Sequence, residues 1–358
     1  MSMKKKYIDI LLIAVAVLLN ACSSGDSGAQ PDPTDNKPVK KEIQVMTYAS
    51  QFAETALSRR AAAAPTGFTA YTPDNNKKTI MGFYMLLDED WASPKEESIS
   101  YFTGKWHAYF NVTPDKTYTV YGYMPKTGDM SSTLAKSEAN AATLTISNIK
   151  PITTDDICII TGVKDTDEGL KEGNFNWKWP ITTSTEDESY KIYILMDHLY
   201  AAAQFRLKID AEYAALRTIK LKTMTLKTNK GSVTATISLT HNTTGASPIS
   251  SVSYDESGSS DEMDIFKSGE GTALDKTTPL AINVCFDPDL SGSLTLDTTY
   301  DVYDSKGNLI RQNSTATNKL PNLEAIRGQR VQLYLTVNPT YLYVLSEPDL
   351  DNPTITIN

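Results

Sequence analysis

The sequence predicts an all-β protein: two β-sandwich domains in tandem behind a leader and a flexible tether. Three observations carry the prediction. Short runs that alternate apolar and polar residues recur from residue 42 to the end of the chain. Turn clusters such as Thr113-Pro114-Asp115-Lys116 and Lys126-Thr127-Gly128-Asp129 separate them. Long helical runs are nearly missing, a pattern that favours a sandwich. Beyond the tether roughly 320 residues remain, room for about two domains of ordinary size.

The leader comes first. Lys4, Lys5 and Lys6 precede an almost unbroken apolar run from Ile10 to Leu19, and the stretch ends at Leu19-Asn20-Ala21-Cys22. A basic start, a short apolar core and small residues at the end make a secretory signal, too short for a mature membrane anchor. The ending resembles the lipobox of bacterial lipoproteins, in which a leucine three residues ahead of a cysteine precedes small residues. That resemblance implies cleavage before Cys22, so that residues 1–21 are removed, with diacylglycerol on the Cys22 thiol and a further acyl chain on the new amine. Several chains give stable anchoring where one does not. The plain alternative is an ordinary secretory signal with an incidental cysteine. An exported protein works without ATP or NAD.

Residues 22–41 are Ser, Gly, Asp, Pro and Lys with little that is apolar, a flexible tether. The first domain, residues 42–188, opens with Ile43 and Val45 alternating with polar neighbours up to Tyr48, a strand pattern. Arg59-Arg60-Ala61 follows, a basic pair before small residues. Strands are then expected at 79–87, 106–112, 117–124, 143–146 and 157–163. In the third of these, Tyr118, Val120 and Gly122 share one face and Tyr121 and Tyr123 the other. The boundary is set by Trp177, Trp179 and the polar, acidic stretch 180–189. In the second domain, residues 189–358, strands are expected at 190–195, 201–209, 218–228, 232–240, 279–286, 293–303, 308–312, 329–337 and 341–345, with Ile355 and Ile357 alternating at the terminus. Residues 210–216 suggest a short helix with Asp210 as its N-cap. The Ser-, Gly- and acid-rich run 250–271 reads as a long exposed loop.

Charge and chemistry narrow the function. The chain carries −9; removing residues 1–21 takes away Lys4, Lys5, Lys6 and Asp9, which leaves −11. That excess argues against nucleic acid, whose phosphates call for a basic surface. With Cys22 lipidated, Cys158 and Cys285 remain, each in an apolar run, and read as buried free thiols rather than a disulfide. His107, His198 and His241 are scattered without zinc spacing, and no glycine loop cradles phosphate. His198 beside Asp197 is either half of a catalytic pair or an ordinary strand histidine. The acidic runs 261–264 and 349–352 lack the ligand spacing of a calcium loop. No enzyme, cofactor or metal is expected. Trp177 and Trp179 suit either sugar stacking or buried packing.

The order of features resembles the fimbrillin-like lipoproteins of Bacteroidales, subunits of type V pili built by strand exchange. The residues that carry the resemblance are Trp106, then Tyr118-Thr119-Val120-Tyr121-Gly122-Tyr123-Met124-Pro125, then Asp155-Asp156-Ile157. In the second half they are His198-Leu199 leading into Phe205-Arg206-Leu207, and the closing Gly328-Gln329-Arg330-Val331-Gln332-Leu333-Tyr334-Leu335-Thr336-Val337. The resemblance implies two transthyretin-like β-sandwich domains, lipid-anchored export to the outer membrane and cell surface, and partners that are other fimbrial subunits and a host or bacterial surface ligand. In polymerising members an arginine-specific protease removes the N-terminal segment and its first strand, and a neighbour's strand fills the groove. Transferred to this chain, the removable strand holds Ile43 and Val45, the cut follows Arg60 and leaves Ala61 first, and the donor strand holds Ile355 and Ile357. That donor is short and follows two prolines, so tip, accessory and anchor positions stay open beside the stalk. The competing reading is a monomeric surface lipoprotein that binds glycans through its aromatics.

Overall fold

The computed structural model describes residues 38–55, 67–164, 177–181, 190–241, 247–290, 292–320, 323, 325–342 and 347–357. In chain order the strands are β1 Val39–Glu42, β2 Gln44–Ser50, β3 Ala53–Thr55, β4 Phe68–Ala70, β5 Thr79–Leu87, β6 Glu97–Phe102, β7 Lys105–His107, β8 Tyr109–Val112 and β9 Lys116–Met124. Then come β10 Ser131–Glu138, β11 Ala141–Ile149, β12 Ile152–Thr153, β13 Cys158–Lys164, β14 Lys178–Ile181, β15 Lys191–His198 and β16 Ala201–Ile209. After the helix α1, Ala211–Ala214, follow β17 Arg217–Thr228, β18 Ser232–Thr240, β19 Ile249–Ser257, β20 Asp261–Ala273, β21 Leu280–Phe286, β22 Thr295–Asp304, β23 Leu309–Lys319, β24 Gln329–Leu342 and β25 Glu347–Ile357. The all-β expectation holds. Asp210 caps α1 through its carboxylate, which accepts from the backbone N–H groups of Glu212 and Tyr213.

A nine-stranded sheet, β4-β2-β15-β13-β9-β5-β6-β7 with β14 alongside β9, is the centre of the first half. Its middle strands are buried on both faces, which is why their sequences are apolar nearly throughout. On one face Met81, Phe83, Tyr118, Val120 and Trp179 join a core closed by Ile43 and Val45. On the other, Tyr84, Leu86, Tyr121 and Tyr123 pack against β11 and β18 through Leu144, Ile146, Ala235 and Ile237. The predicted division of β9 into two faces is therefore a division between two cores. Gly122 sits where β9 crosses β5 so closely that a Cβ would run into the Gly82 carbonyl oxygen.

A third core lies between the sheet β12-β21-β16-β24-β25 and the sheet β20-β17-β22-β23. Alternation along β16 sends Ala203, Phe205, Leu207 and Ile209 into it beside Leu333 of β24, opposite Leu221, Leu226 and Leu296. Two long ribbons, β17 to β18 and β19 to β20, run from this sheet into the sheet β10-β11-β18-β19. Both bend at glycine: Gly231 and Gly258 touch backbone to backbone, and a Cβ on Gly258 would lie 3.0 Å from the Gly231 Cα. The described residues form one compact unit. Strands from either side of residue 188 share sheets: β15 lies between β2 and β13, and β18 pairs with β11.

Three local expectations are corrected. The run 250–271, read as a loop, holds most of β19 and β20; its Ser and acidic residues occupy the exposed positions of edge strands, while Val252 and Tyr254 on β19 and Met263 and Ile265 on β20 supply the inward alternation, and Phe266 packs inward where the register shifts. The stretch read as tether gives up Val39–Lys41 to β1, which pairs with β8. The strand expected at 106–112 is broken at Ala108 into β7 and β8.

Candidate functional site

The candidate site is the N-terminal segment from β1 to β3 together with the strand edges it covers. β1 runs antiparallel to β8, Val39↔Val112 to Glu42↔Tyr109, and the Ile43 N–H donates to the Ala108 carbonyl at 2.8 Å. β2 then lies parallel to β15 over six register pairs, Lys191↔Gln44 to Met196↔Ala49, with β4 on its other side. Alternation decides what is buried: Ile43 is 2 % and Val45 9 % exposed, both inside the first core, while Met46 faces outward. Ile43 itself falls between the two strands rather than in one. Beside β2 a cavity of about 660 Å³ opens, lined by Thr47, Tyr48, Tyr71, Trp106 and Tyr190 among others.

The end of the segment is latched onto the second half of the chain. Ser50 donates its hydroxyl to Asp197 Oδ1 at 2.6 Å, and Arg327 meets Asp197 Oδ2 at 3.0 Å. Burial pushes the Asp197 carboxyl up, but the Arg327 guanidinium and the Ser50 hydroxyl outweigh it and hold it below the usual carboxylate range. Phe52 stacks on the His198 ring at 3.6 Å, with the Arg330 guanidinium 5.1 Å from its centroid. The Ala53 N–H donates to the Gly328 carbonyl, and Glu54 pairs with Arg330 at 3.0 Å. β3 itself runs parallel to the first residues of β24, Gln329–Val331.

β24 brings the two termini together. β16 occupies one of its edges, so β3 and β25 share the other: β3 against Gln329–Val331, β25 against Leu335–Leu342. Ile355 is buried in the third core opposite Val337, and Ile357 packs partly against it. The donor candidate thus rests on its own sheet. β25 is far longer than the four residues expected and runs through Pro348 and Pro353, which an edge strand tolerates because one side of it needs no donor.

The remaining site residues divide clearly. Cys22, Arg59, Arg60 and Ala61 lie outside the described residues. Trp177 and Trp179 are buried, stacked on Tyr121 and tilted against Tyr118 respectively, so neither offers a sugar platform. Cys158 and Cys285 are buried free thiols, as expected. Burial raises both, Asp156 adding to the effect, which makes them poor nucleophiles. His198 ends β15, and its partner is Asp156 rather than Asp197: Nδ1 is 2.9 Å from each Asp156 oxygen and 3.9 Å from Cys158 Sγ. The carboxylate and the thiol meet the same ring nitrogen, which is not the geometry of a catalytic relay. In the acidic run 261–264, Asp261 pairs with Lys150, Glu262 with Lys227 and Asp264 accepts from Thr225, so the carboxylates answer different neighbours. Ser50, Phe52 and β3 escaped the sequence reading because three residues after an irregular turn leave no periodicity; the i, i+2 spacing of Asp156 and Cys158 was the available signal for the His198 cluster.

No family model matches the sequence, and no curated protein matches it. Among solved structures, the chain is similar to a protein of Bacteroides fragilis NCTC 9343 provisionally described as a cell adhesion protein, at 11 % identity over 89 % of this chain and 97 % of that one, with a TM-score of 0.41. A similarly described protein of Bacteroides ovatus ATCC 8483 is 14 % identical over 89 % and 96 % of the two chains, with a TM-score of 0.35. A fimbrial protein from Bacteroides vulgatus ATCC 8482 is 15 % identical over 88 % and 98 %, with a TM-score of 0.32. These likenesses span most of each chain and superpose loosely.

Proposed function

We propose that the chain is a structural and adhesive subunit of a cell-surface fimbria. It is exported as a lipoprotein, anchored in the outer membrane through Cys22, cut after Arg60 and assembled by strand exchange. The observation that carries this reading is the character of the segment 38–55. It contributes a side to three separate strand arrays, through β8, β15 with β4, and β24, and it ends just before the basic pair Arg59-Arg60. Its removal would strip partners from the N–H and C=O groups of β15 and β8 and open the first core at Ile43 and Val45. A bare edge beside an apolar groove is what an incoming strand completes: backbone bonds supply affinity, and alternate side chains supply register. Ile355 and Ile357 have that alternation, and donating them requires β25 to leave β24.

The second reading, a monomeric glycan binder, no longer rests on Trp177 and Trp179. Its support is the aromatic cavity beside β2, where Tyr48, Tyr71 and Tyr190 line an opening of about 660 Å³. The N-terminus of protein extracted from the cell surface separates the two. A cleaved, polymerising fimbrial subunit yields a mature chain beginning at Ala61 without acyl mass. A glycan binder keeps a lipidated Cys22, and that result would overturn the cleavage on which strand exchange depends.

A further inference from the structure

We propose that Asp156, Cys158 and His198 form a binding site for a divalent transition-metal ion of the zinc class. The topology assembles it. Cys158 and His198 are register partners across β13 and β15, and Asp156 stands two residues before Cys158, just ahead of β13. The donor atoms of the three residues all lie within 4.8 Å of one another.

The feature that points to a metal is convergence on one nitrogen. Both Asp156 oxygens are 2.9 Å from His198 Nδ1, and Cys158 Sγ is 3.9 Å from the same atom. A relay would use the two ring nitrogens in turn, one toward the nucleophile and one toward the carboxylate. A metal site aims every donor at a single place. Zinc bonds of about 2.0 Å to nitrogen and oxygen and about 2.3 Å to sulfur, arranged tetrahedrally, set neighbouring donors roughly 3.3–3.5 Å apart. The contacts to nitrogen, 2.9 and 3.9 Å, lie about half an ångström to either side of that spacing, and donors up to 4.8 Å apart close by roughly 1.3 Å to admit the ion. One nitrogen, one sulfur and a carboxylate suit zinc and its neighbours in the transition series; calcium and magnesium take oxygen.

Access and closure are also provided. Asp156 and His198 line a cavity of about 470 Å³, and the Asp156 side chain is 23 % exposed, which gives an entry path and room for water as a further ligand. Phe52 lies over the imidazole at 3.6 Å and caps the site from the N-terminal segment. The assignment stands whether or not that segment is exchanged.

The test uses the full chain stripped with a chelator, then titrated with Co²⁺ and challenged with Zn²⁺, followed by absorption and native mass spectrometry. The expected result is one ion per chain with thiolate-to-cobalt charge-transfer absorption, displaced by Zn²⁺. Cys158→Ser abolishes that absorption, and Cys285→Ser, outside the triad, leaves it intact. Asp156→Asn, at a partly exposed position that tolerates the change, weakens binding by at least about tenfold. It decides the matter even where Cys158→Ser fails to fold. No ion retained by the native chain at micromolar Co²⁺, or an unchanged affinity in Asp156→Asn, overturns the site.

Discussion

Replacing Trp177 with alanine removes an indole that is 1 % exposed and stacked on Tyr121 at a centroid distance of 5.0 Å. Truncating a buried aromatic costs about 3–5 kcal/mol, and its ring pairing is included in that loss, so about 4 kcal/mol is expected. At roughly 2 °C per kcal/mol for a chain of this length, the melting temperature should fall by about 8 °C. Phenylalanine gives a sharper test. The Trp177 indole N–H is buried without an acceptor among the described residues, whereas the Trp179 N–H donates to the Lys191 carbonyl at 3.1 Å. Trp177→Phe keeps most of the apolar area and discards an unsatisfied donor; Trp179→Phe loses a made bond. The second should therefore cost about 1 kcal/mol more than the first. Urea titration followed by circular dichroism measures both, and a glycan array run on the same samples shows whether binding changes. An unchanged melting curve for Trp177→Ala, together with lost sugar binding, would refute the packing argument and restore the open platform.

Asp287 provides a pH test. It is fully buried, with Oδ1 accepting from the Asp289 N–H and Oδ2 without a partner among the described residues, and burial pushes its carboxyl from 3.8 up to about 7. A raised folded pKa means the unfolded chain gives up this proton more easily, so stability falls as pH rises from about 4 to 7. The full effect is roughly 4 kcal/mol, and Asp287→Asn should gain on the native protein across that window in urea titrations at each pH. A constant difference from pH 4 to 8 would remove Asp287 as the cause. Asp197 works in the opposite sense: held below the usual range, it supports the fold at neutral pH, and that support fades as pH drops through the ordinary carboxylate range and below. Arg327→Ala should cost about 3 kcal/mol and raise hydrogen exchange in residues 50–55, because the Asp197 latch loses its counter-charge; unaltered exchange there would show that the latch does not hold the segment. Cys22→Ser should leave the chain without acyl mass and out of the membrane fraction, and normal retention would end the anchoring proposal.

What the sequence revealed follows the period-2 signal. The strands at 79–87, 201–209 and 232–240 emerge with the bounds expected, because each alternates cleanly or is apolar throughout. β19 and β20 hid because their exposed face is Ser, Gly and acid, the composition of a loop, and the inward side is marked sparsely, by Val252, Tyr254, Met263, Ile265 and Phe266. The burial of Ile43, Val45 and Ile355 was legible by the same alternation. What they pair with was not: parallel contact of β2 with β15, and of β3 with β24, joins residues more than a hundred positions apart and leaves no local trace. The partner of His198 was not legible for a related reason. Its sequence neighbour Asp197 turns toward Ser50 and Arg327, while the partner on the imidazole, Asp156, comes from the segment just ahead of β13.

The central claim is that residues 38–55 occupy a place another strand can take. It is tested most directly by cutting the purified chain with an arginine-specific protease and following its mass by light scattering, with and without excess synthetic peptide spanning residues 39–55. Cleavage by itself severs the segment but leaves its ladder bonds in place, so assembly depends on the peptide leaving. The account predicts a product beginning at Ala61 that forms oligomers resistant to mild detergent, suppression of those oligomers by the added peptide, and a monomer throughout for Arg59→Ala with Arg60→Ala. A product cut at Ala61 that stays monomeric at high concentration without added peptide would contradict it.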